Sequence, residues 1–388
     1  TTTLRTLLTF VIVAATKKYP STKELASYLD ENYGARLSTN IATKGKSQTI
    51  NVYSSFVNDV YLPINESLLV RQIQLLSDLF FNPLVQDQKF DEEIVKMKKK
   101  ELKERLQVNK DDKFSYSLDK LFEYMGKNHT LGIPSTGYED EIDTISSHDL
   151  YKYFLETIQN DEKHLYVVGD IDESIIDILN QHLQFPENNK DYPSAYSFDS
   201  QRQDVLEIIE EQDLTQSKLN MGYRIGCDFT SNHHYAFTVF NALFGGFSQS
   251  RLFKVVREEN SLCYYVSSSY DAFNGIMIVN AGIEAKDYQK TMSLIKEQLE
   301  DIQNGNLSDN DIQIAKIMLQ NALRKTNDEA GSMIALAYNR DITHKQETND
   351  EYIQKLLNVS KEDIINVAKK VQLDTIFFLT GKDFHGNN

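Results

Sequence analysis

The sequence predicts an α+β protein made of two copies of one unit of about 200 residues each. Three observations predict it. The order of helical and alternating stretches in 1–185 recurs in 205–388. The segment between them, 186–204 (PENNKDYPSAYSFDSQRQD), combines Pro, Asn, Ser and charge without periodicity and reads as a linker. Each half also mixes period-two and period-3.6 patterns, as a mostly antiparallel sheet covered by helices requires. Two such domains, 1–185 and 205–388, are expected to face each other as a clamshell across a cavity.

Composition sets the outer limits. The 388 residues are 40% hydrophobic and 25% charged, which suits a soluble globular protein. A net charge of −16 argues against nucleic acid and against an anionic membrane surface as partners. Two cysteines, Cys227 and Cys263, are no disulfide framework, so a cytoplasmic, reducing setting is expected. There is no CxxC and no Cys/His cluster. The apolar run 7–15 (LLTFVIVAA) is too short to span a bilayer. It resembles a signal-peptide core in composition, but it reads better as a buried helix. Lys17-Lys18-Tyr19-Pro20-Ser21 then closes it, and Ser21 caps a second helix over 22–31.

The remaining elements follow in order. Alternation over 37–41 and 48–57, joined near Lys44-Gly45-Lys46, predicts two antiparallel strands. Leu69, Ile73, Leu76 and Leu79 predict a helix over 68–81 that Asn82-Pro83 stops. A long charged helix over 90–106 follows, and its Lys/Glu run reads as a solvated face. Helices over 114–125 and 149–157 lead to a buried strand at 164–168. In the second half, 205–223 holds two strands, 234–243 and 252–258 are helices, and 264–283 gives two strands turning at Phe273-Asn274-Gly275. Amphipathic helices over 288–302 and 308–323, a helix over 361–370 and a strand at 375–379 complete it. The helix–turn–helix over 68–106 matches 288–323, and Leu165 to Asp170 matches Phe377 to Lys382.

The stretch 243–269 (LFGGFSQSRLFKVVREENSLCYYVSSS) is the one with chemical content. The Gly245-Gly246 pair permits close backbone approach. Arg257 ends a short amphipathic run and Tyr264, seven residues on, begins a strand. A cation and a phenol so placed can converge on one carbonyl or carboxylate. They are equally compatible with a surface helix, a satisfied arginine and a core tyrosine.

On this stretch the chain resembles the M16 family of zinc peptidases, the group of pitrilysin and the mitochondrial processing peptidase. It is most similar to a short bacterial, non-catalytic subfamily. The family motif GG-x-x-x-S-R-L-F-x-x-V-R-E-x-x-x-L-x-Y reads here from Gly245-Gly246 through Ser250-Arg251-Leu252-Phe253, Val256-Arg257-Glu258 and Leu262 to Tyr264. The resemblance covers essentially the whole chain and implies a pair of LuxS/MPP-like domains, with a first strand expected upstream of Thr1. It implies that Arg257 and Tyr264 bind the substrate carbonyl and stabilise the tetrahedral intermediate, and that Gly245 and Gly246 belong to a substrate-handling loop.

The family's hydrolytic half is missing. Active members carry H-x-x-E-H, two zinc-binding histidines one helical turn apart with a glutamate base between them. Thr6, Thr9 and Phe10 stand at those positions, and the third ligand, a glutamate, falls near Met97. The eight histidines (129, 148, 164, 182, 233, 234, 344 and 385) include no i, i+4 pair. Adjacent His233-His234 face different directions and read as a helix start. The expectation is a subunit without a metal of its own, inactive alone. It would bind peptide and supply Arg257 and Tyr264 in trans to an H-x-x-E-H partner holding the zinc. The alternatives are a non-enzymatic peptide-binding or scaffold subunit, a homodimer with two half-sites, and an autonomous metallopeptidase.

Overall fold

The computed structural model describes residues 1–63, 67–188, 190, 192, 194–198, 203–227, 231 and 233–382. His385 and part of the 186–204 segment lie outside the described residues. In chain order the first elements are α1 (Thr2–Ile12), α2 (Thr22–Glu31), β1 (Arg36–Lys44), β2 (Ser47–Ser55), α3 (Leu68–Phe81), β3 (Val85–Gln86), β4 (Lys89–Phe90), α4 (Glu92–Asp111) and α5 (Lys113–Met125). Then come α6 (Glu139–Ile142), α7 (Ser147–Asn160), α8 (Ser174–His182), β5 (Leu206–Glu211), β6 (Ser217–Arg224) and α9 (His233–Asn241). After two π-helical segments follow β7 (Cys263–Asp271), β8 (Ile276–Ile283), α10 (Tyr288–Gln303), α11 (Asp309–Lys325), α12 (Ala330–Thr343), α13 (Asn349–Leu357), α14 (Lys361–Ala368) and β9 (Gln372–Thr380).

The chain forms two compact units. One comprises Thr1–Thr43, Ser47–Asn109 and Pro134–Ser194; the other comprises Lys44–Lys46, Lys110–Ile133 and Ala195–Asn388. The stretch 110–133, from the first half of the sequence, therefore packs with the second half, and the reason lies in the sheet.

That sheet has strand order β5-β9-β6-β8-β7. β5 runs parallel to β9, and the other neighbours are antiparallel. Its central strands are buried on both faces; β8 and β9 bring large apolar residues to both, β6 to one. Leu219, Met221, Met277, Val279, Ile376 and Phe378 join one core with Phe237 of α9, Ile295 of α10 and Ile364 of α14. Ile276, Ile278, Phe377 and Leu379 point the other way and join Leu121 and Met125 of α5. A sheet buried on both faces needs helices on both, and α5 is the cover for the second. Gly222 makes the contact close, since a Cβ there would lie 2.7 Å from Met125 Sδ.

One ion pair is sealed beneath α5. Arg224, almost wholly buried, donates from Nε to Asp374 Oδ2 at 3.2 Å and from Nη2 to the Met125 carbonyl at 2.7 Å. Asp374 is fully buried and also accepts from Thr375 Oγ1 at 2.7 Å.

The first unit has a different core. α1 inserts Leu7, Leu8, Val11 and Ile12 between α4 (Val95, Leu102, Leu106) and α7 (Leu150, Phe154). The run read as a buried helix is therefore one, starting at Thr2 with Thr1 as its cap. Ser21 caps α2 by accepting from the Glu24 amide, and Asn82 closes α3 before Pro83. Its strands are two short hairpins, β1-β2 and β3-β4.

Two expectations are corrected. Residues 164–168 are not a buried strand: Leu165 is 54% exposed, with Val167 and Val168 also exposed. Apolar alternation gives extended backbone, but a strand needs a partner edge, and no described strand lies beside these residues. Phe377 and its neighbours have that edge and form central β9, so the two halves match in their helix–turn–helix pairs but not in their sheets. The helix read at 252–258 is π-helical over Phe253–Glu259. Four helices, α6, α8, α12 and α13, carried no recognised signal.

Replacing Asp374 by Ala strands the Arg224 cation in the core. Asp374→Ala should lower stability by about 3–5 kcal/mol, read as a shift in the denaturant midpoint. An unchanged midpoint would show that the pair is not buried as described.

Candidate functional site

The site stretch begins where α9 loses its regular register. Ala242–Gly246 is π-helical, and Gly245 is buried against β7. A Cβ at Gly245 would lie 2.6–2.8 Å from the Ser268 side chain and amide, so only glycine lets the chain turn here. The close approach inferred from sequence is thus, at Gly245, an internal contact with the strand that carries Tyr264. Gly246 is exposed, and a Cβ there would lie 3.0 Å from the Asn241 carbonyl oxygen.

The second π-helical segment carries Arg257. Its wide register is fixed at the end by Asn260, whose amide and Nδ2 both donate to the Val255 carbonyl, at 3.2 and 2.9 Å. Ser261 then takes a left-handed φ of +53°, and the Leu262 amide returns to the Val256 carbonyl at 3.1 Å. Val256 and Leu262 anchor the segment in the core, while Arg257 faces out. Its guanidinium stacks 4.5 Å from the Phe253 ring centroid and forms no salt bridge among the described residues.

Tyr264 owes its position to a β-bulge. β7 pairs Cys263 with Ile283 and Tyr265 with Gly282, so Tyr264 is the unpaired extra residue. Tyr265 turns inward: a Cβ on Gly282 would lie 2.4 Å from its ring, and Phe114 of α5 packs edge-on against it at 5.8 Å. Tyr264 is left 67% exposed, with no hydrogen bond to a described residue. β7 is also an edge strand of its sheet. The fold therefore presents an unpaired cation and a free phenol near one sheet edge. Cys263 joins them: burial pushes its thiol up to about 11, and the Arg257 charge works in the opposite direction.

The degenerate zinc-motif positions are used differently. Thr6 and Thr9 are buried on α1, and their hydroxyls are spent on backbone. Thr6 donates to the Thr2 carbonyl at 3.0 Å and the Ser135 carbonyl at 3.3 Å, and Thr9 to the Thr6 carbonyl at 2.7 Å. Thr39 Oγ1 closes the helix face from β1, 2.8 Å from the Thr9 carbonyl. Phe10 lies under the Arg105 guanidinium, 5.7 Å from its ring centroid. Arg105 is the α4 side chain that meets Phe10, and Met97 is 45% exposed. Two hydroxyls, a phenyl ring and a guanidinium offer no ligand set for zinc, and a cation at that point repels one. Among the described residues no three His, Cys, Asp or Glu converge to hold a metal. No described helix is long and apolar enough to cross a membrane.

An α+β chain with a glycine-turned Arg/Tyr site and a ligand-free motif helix has the form of a peptidase homologue. Comparison with known proteins agrees. A family described as "Peptidase M16 inactive domain" matches residues 144–319. The chain is 36% identical over 382 residues, 98% of its length and 89% of the relative's, to "Probable inactive metalloprotease YmfF" of Bacillus subtilis (strain 168). It is 23% identical over 303 residues, 77% of its length and 72% of the relative's, to "Uncharacterized zinc protease YmxG" of the same strain. A solved structure of a conserved protein from Enterococcus faecalis V583 superimposes with a TM-score of 0.91 at 30% identity, covering 100% of this chain and 91% of that one. The chain belongs to the M16 peptidase family and is similar to its inactive members.

The electrostatics are checkable through Cys263. Its alkylation by iodoacetamide should be half-maximal near pH 11, not in the ordinary thiol range. Arg257→Ala removes the charge that favours the thiolate, so the midpoint should move higher still. A midpoint in the ordinary range, or one unmoved by Arg257→Ala, would contradict the placement of both groups.

Proposed function

We propose that this chain is a non-hydrolysing M16 subunit that binds extended peptide and supplies Arg257 and Tyr264 to a zinc-bearing H-x-x-E-H partner. The observation that carries this is the contrast between its two candidate sites. Thr6, Thr9 and Phe10 are absorbed by the fold, whereas Arg257 and Tyr264 are held outward, Arg257 against the Phe253 ring, with no hydrogen bond or ion pair to a described residue. An unpaired guanidinium and a free phenol are donors suited to a carbonyl oxygen that gains negative charge. The bulge that re-aims Tyr264 and the ordered end of the π-helical segment pre-organise them, which is where such donors gain their effect.

Zinc in the partner would supply the activated water for peptide-bond hydrolysis. The residues of this chain would orient the scissile carbonyl and stabilise its developing oxyanion. Edge strand β7 offers unpaired backbone groups to an extended peptide, and Gly246 in the preceding turn is exposed. The two Bacillus subtilis relatives support a division of labour: one is named an inactive metalloprotease and the other a zinc protease. The rival reading is a peptide-binding scaffold that takes no part in the chemistry.

Reconstitution with an H-x-x-E-H subunit separates the two. Arg257→Ala and Tyr264→Phe should each lower kcat/KM by about 100-fold or more, the scale of a lost oxyanion donor, with assembly intact by size-exclusion chromatography. Unchanged turnover in the assembled variants would leave the scaffold reading in its place.

A further inference from the structure

Behind the segment that carries Arg257 lies a partly open cavity of about 240 Å³, lined by both π-helical segments, α10 and α11. Residues 251, 254, 255 and 259 look into it, while Phe253 and Arg257 do not line it. It is therefore separate from the Arg/Tyr site. A cavity of about 150 Å³ already holds benzene, so this one has room for a ligand the size of a single amino acid.

Its chemistry is mixed in a definite way. The floor is aliphatic, from Ala242, Leu243, Val255, Ile314, Ala315 and Met318. The rim carries both signs of charge. Lys254 reaches Asp311 only at 3.6 Å, and Glu259 is exposed with no ion pair among the described residues. Gln298 lines the cavity with a largely buried side chain, and an amide there can both donate to and accept from a polar ligand.

We propose that this cavity is a binding site for a zwitterionic ligand of amino-acid size with an aliphatic side chain, such as a free aliphatic amino acid. The side chain occupies the aliphatic floor. The carboxylate meets Lys254, the ammonium meets Asp311 and Glu259, and the Gln298 amide bonds the ligand's polar end. An uncharged apolar ligand would leave the two charged flanks unused, and a larger one would not fit.

The test uses the purified full chain and L-leucine, followed by saturation-transfer NMR and isothermal titration. Saturable binding is expected, with a Kd of about 1 mM or tighter. N-acetyl-L-leucinamide, which lacks both charges, should bind about tenfold more weakly or not at all. Lys254→Met and Glu259→Gln alter exposed or half-exposed side chains, so both should fold as the parent does by thermal melting. Each should weaken L-leucine binding by about tenfold, one lost charge contact of about 1.4 kcal/mol. No saturable binding to the folded parent, equal binding of the uncharged analogue, or binding unmoved in both variants would overturn the proposal. Because the readout is binding to the isolated chain, its failure leaves the trans-catalysis reading untouched.

Discussion

The burial of the central strands on both faces is the constraint from which the rest of the second unit follows. β8 and β9 place large apolar side chains alternately up and down, and β6 adds Leu219, Met221 and Tyr223 to one face. Helices α9, α10 and α14 cover one face. No helix from 205–388 joins the apolar cluster on the other, so α5 is taken from the first half of the chain. That choice bears on the sealed Arg224–Asp374 pair, because the Met125 carbonyl at the end of α5 accepts from the arginine's Nη2. It also fixes the site: Phe114 at the start of α5 packs on Tyr265 and holds it inward, which leaves Tyr264 as the bulged, outward residue.

The same economy explains what happened to the motif helix. A buried threonine hydroxyl must bond something, and on α1 the backbone is nearest. Once Thr6 and Thr9 bond carbonyls, the helix face is closed by Thr39 and the 135–141 segment; the Tyr138 amide donates to Thr3 Oγ1 at 2.9 Å, and Thr3 donates to Glu141 at 2.6 Å. Thr6 and Thr9 thus serve the packing of α1 in its core. Arg257 and Tyr264 show the reverse: their exposure gains nothing for the fold, and their local geometry is nonetheless tightly held.

Much of this was legible in the sequence, and the failures have physical causes. Helices whose ends carry chemical punctuation, such as Ser21 before α2 and Asn82-Pro83 after α3, lie where the pattern puts them. The strand turn at Phe273-Asn274-Gly275 does too. The segment at 164–168 misled because alternation reports backbone extension and not the presence of a pairing edge. The π-helical register at Phe253–Glu259 was hidden because its apolar residues fit an ordinary helix equally well. The contact of Arg105 with Phe10 joins two helices far apart in the chain, and no local pattern shows it. The cavity behind Arg257 draws on residues from 242 to 318, and no local pattern joins them. The seven-residue spacing of Arg257 and Tyr264, by contrast, was local, and the structure places both on the outside next to Cys263.

The account turns on the claim that this chain lacks the hydrolytic half of an M16 peptidase and must rely on another subunit for it. The zinc content of the purified chain alone, by elemental analysis after extensive dialysis, tests that claim most directly. The account predicts far less than one zinc per chain. A tightly held zinc at about one per chain would contradict it, and would mean that the helix bearing Thr6, Thr9 and Phe10 is not the vestige it has been read as.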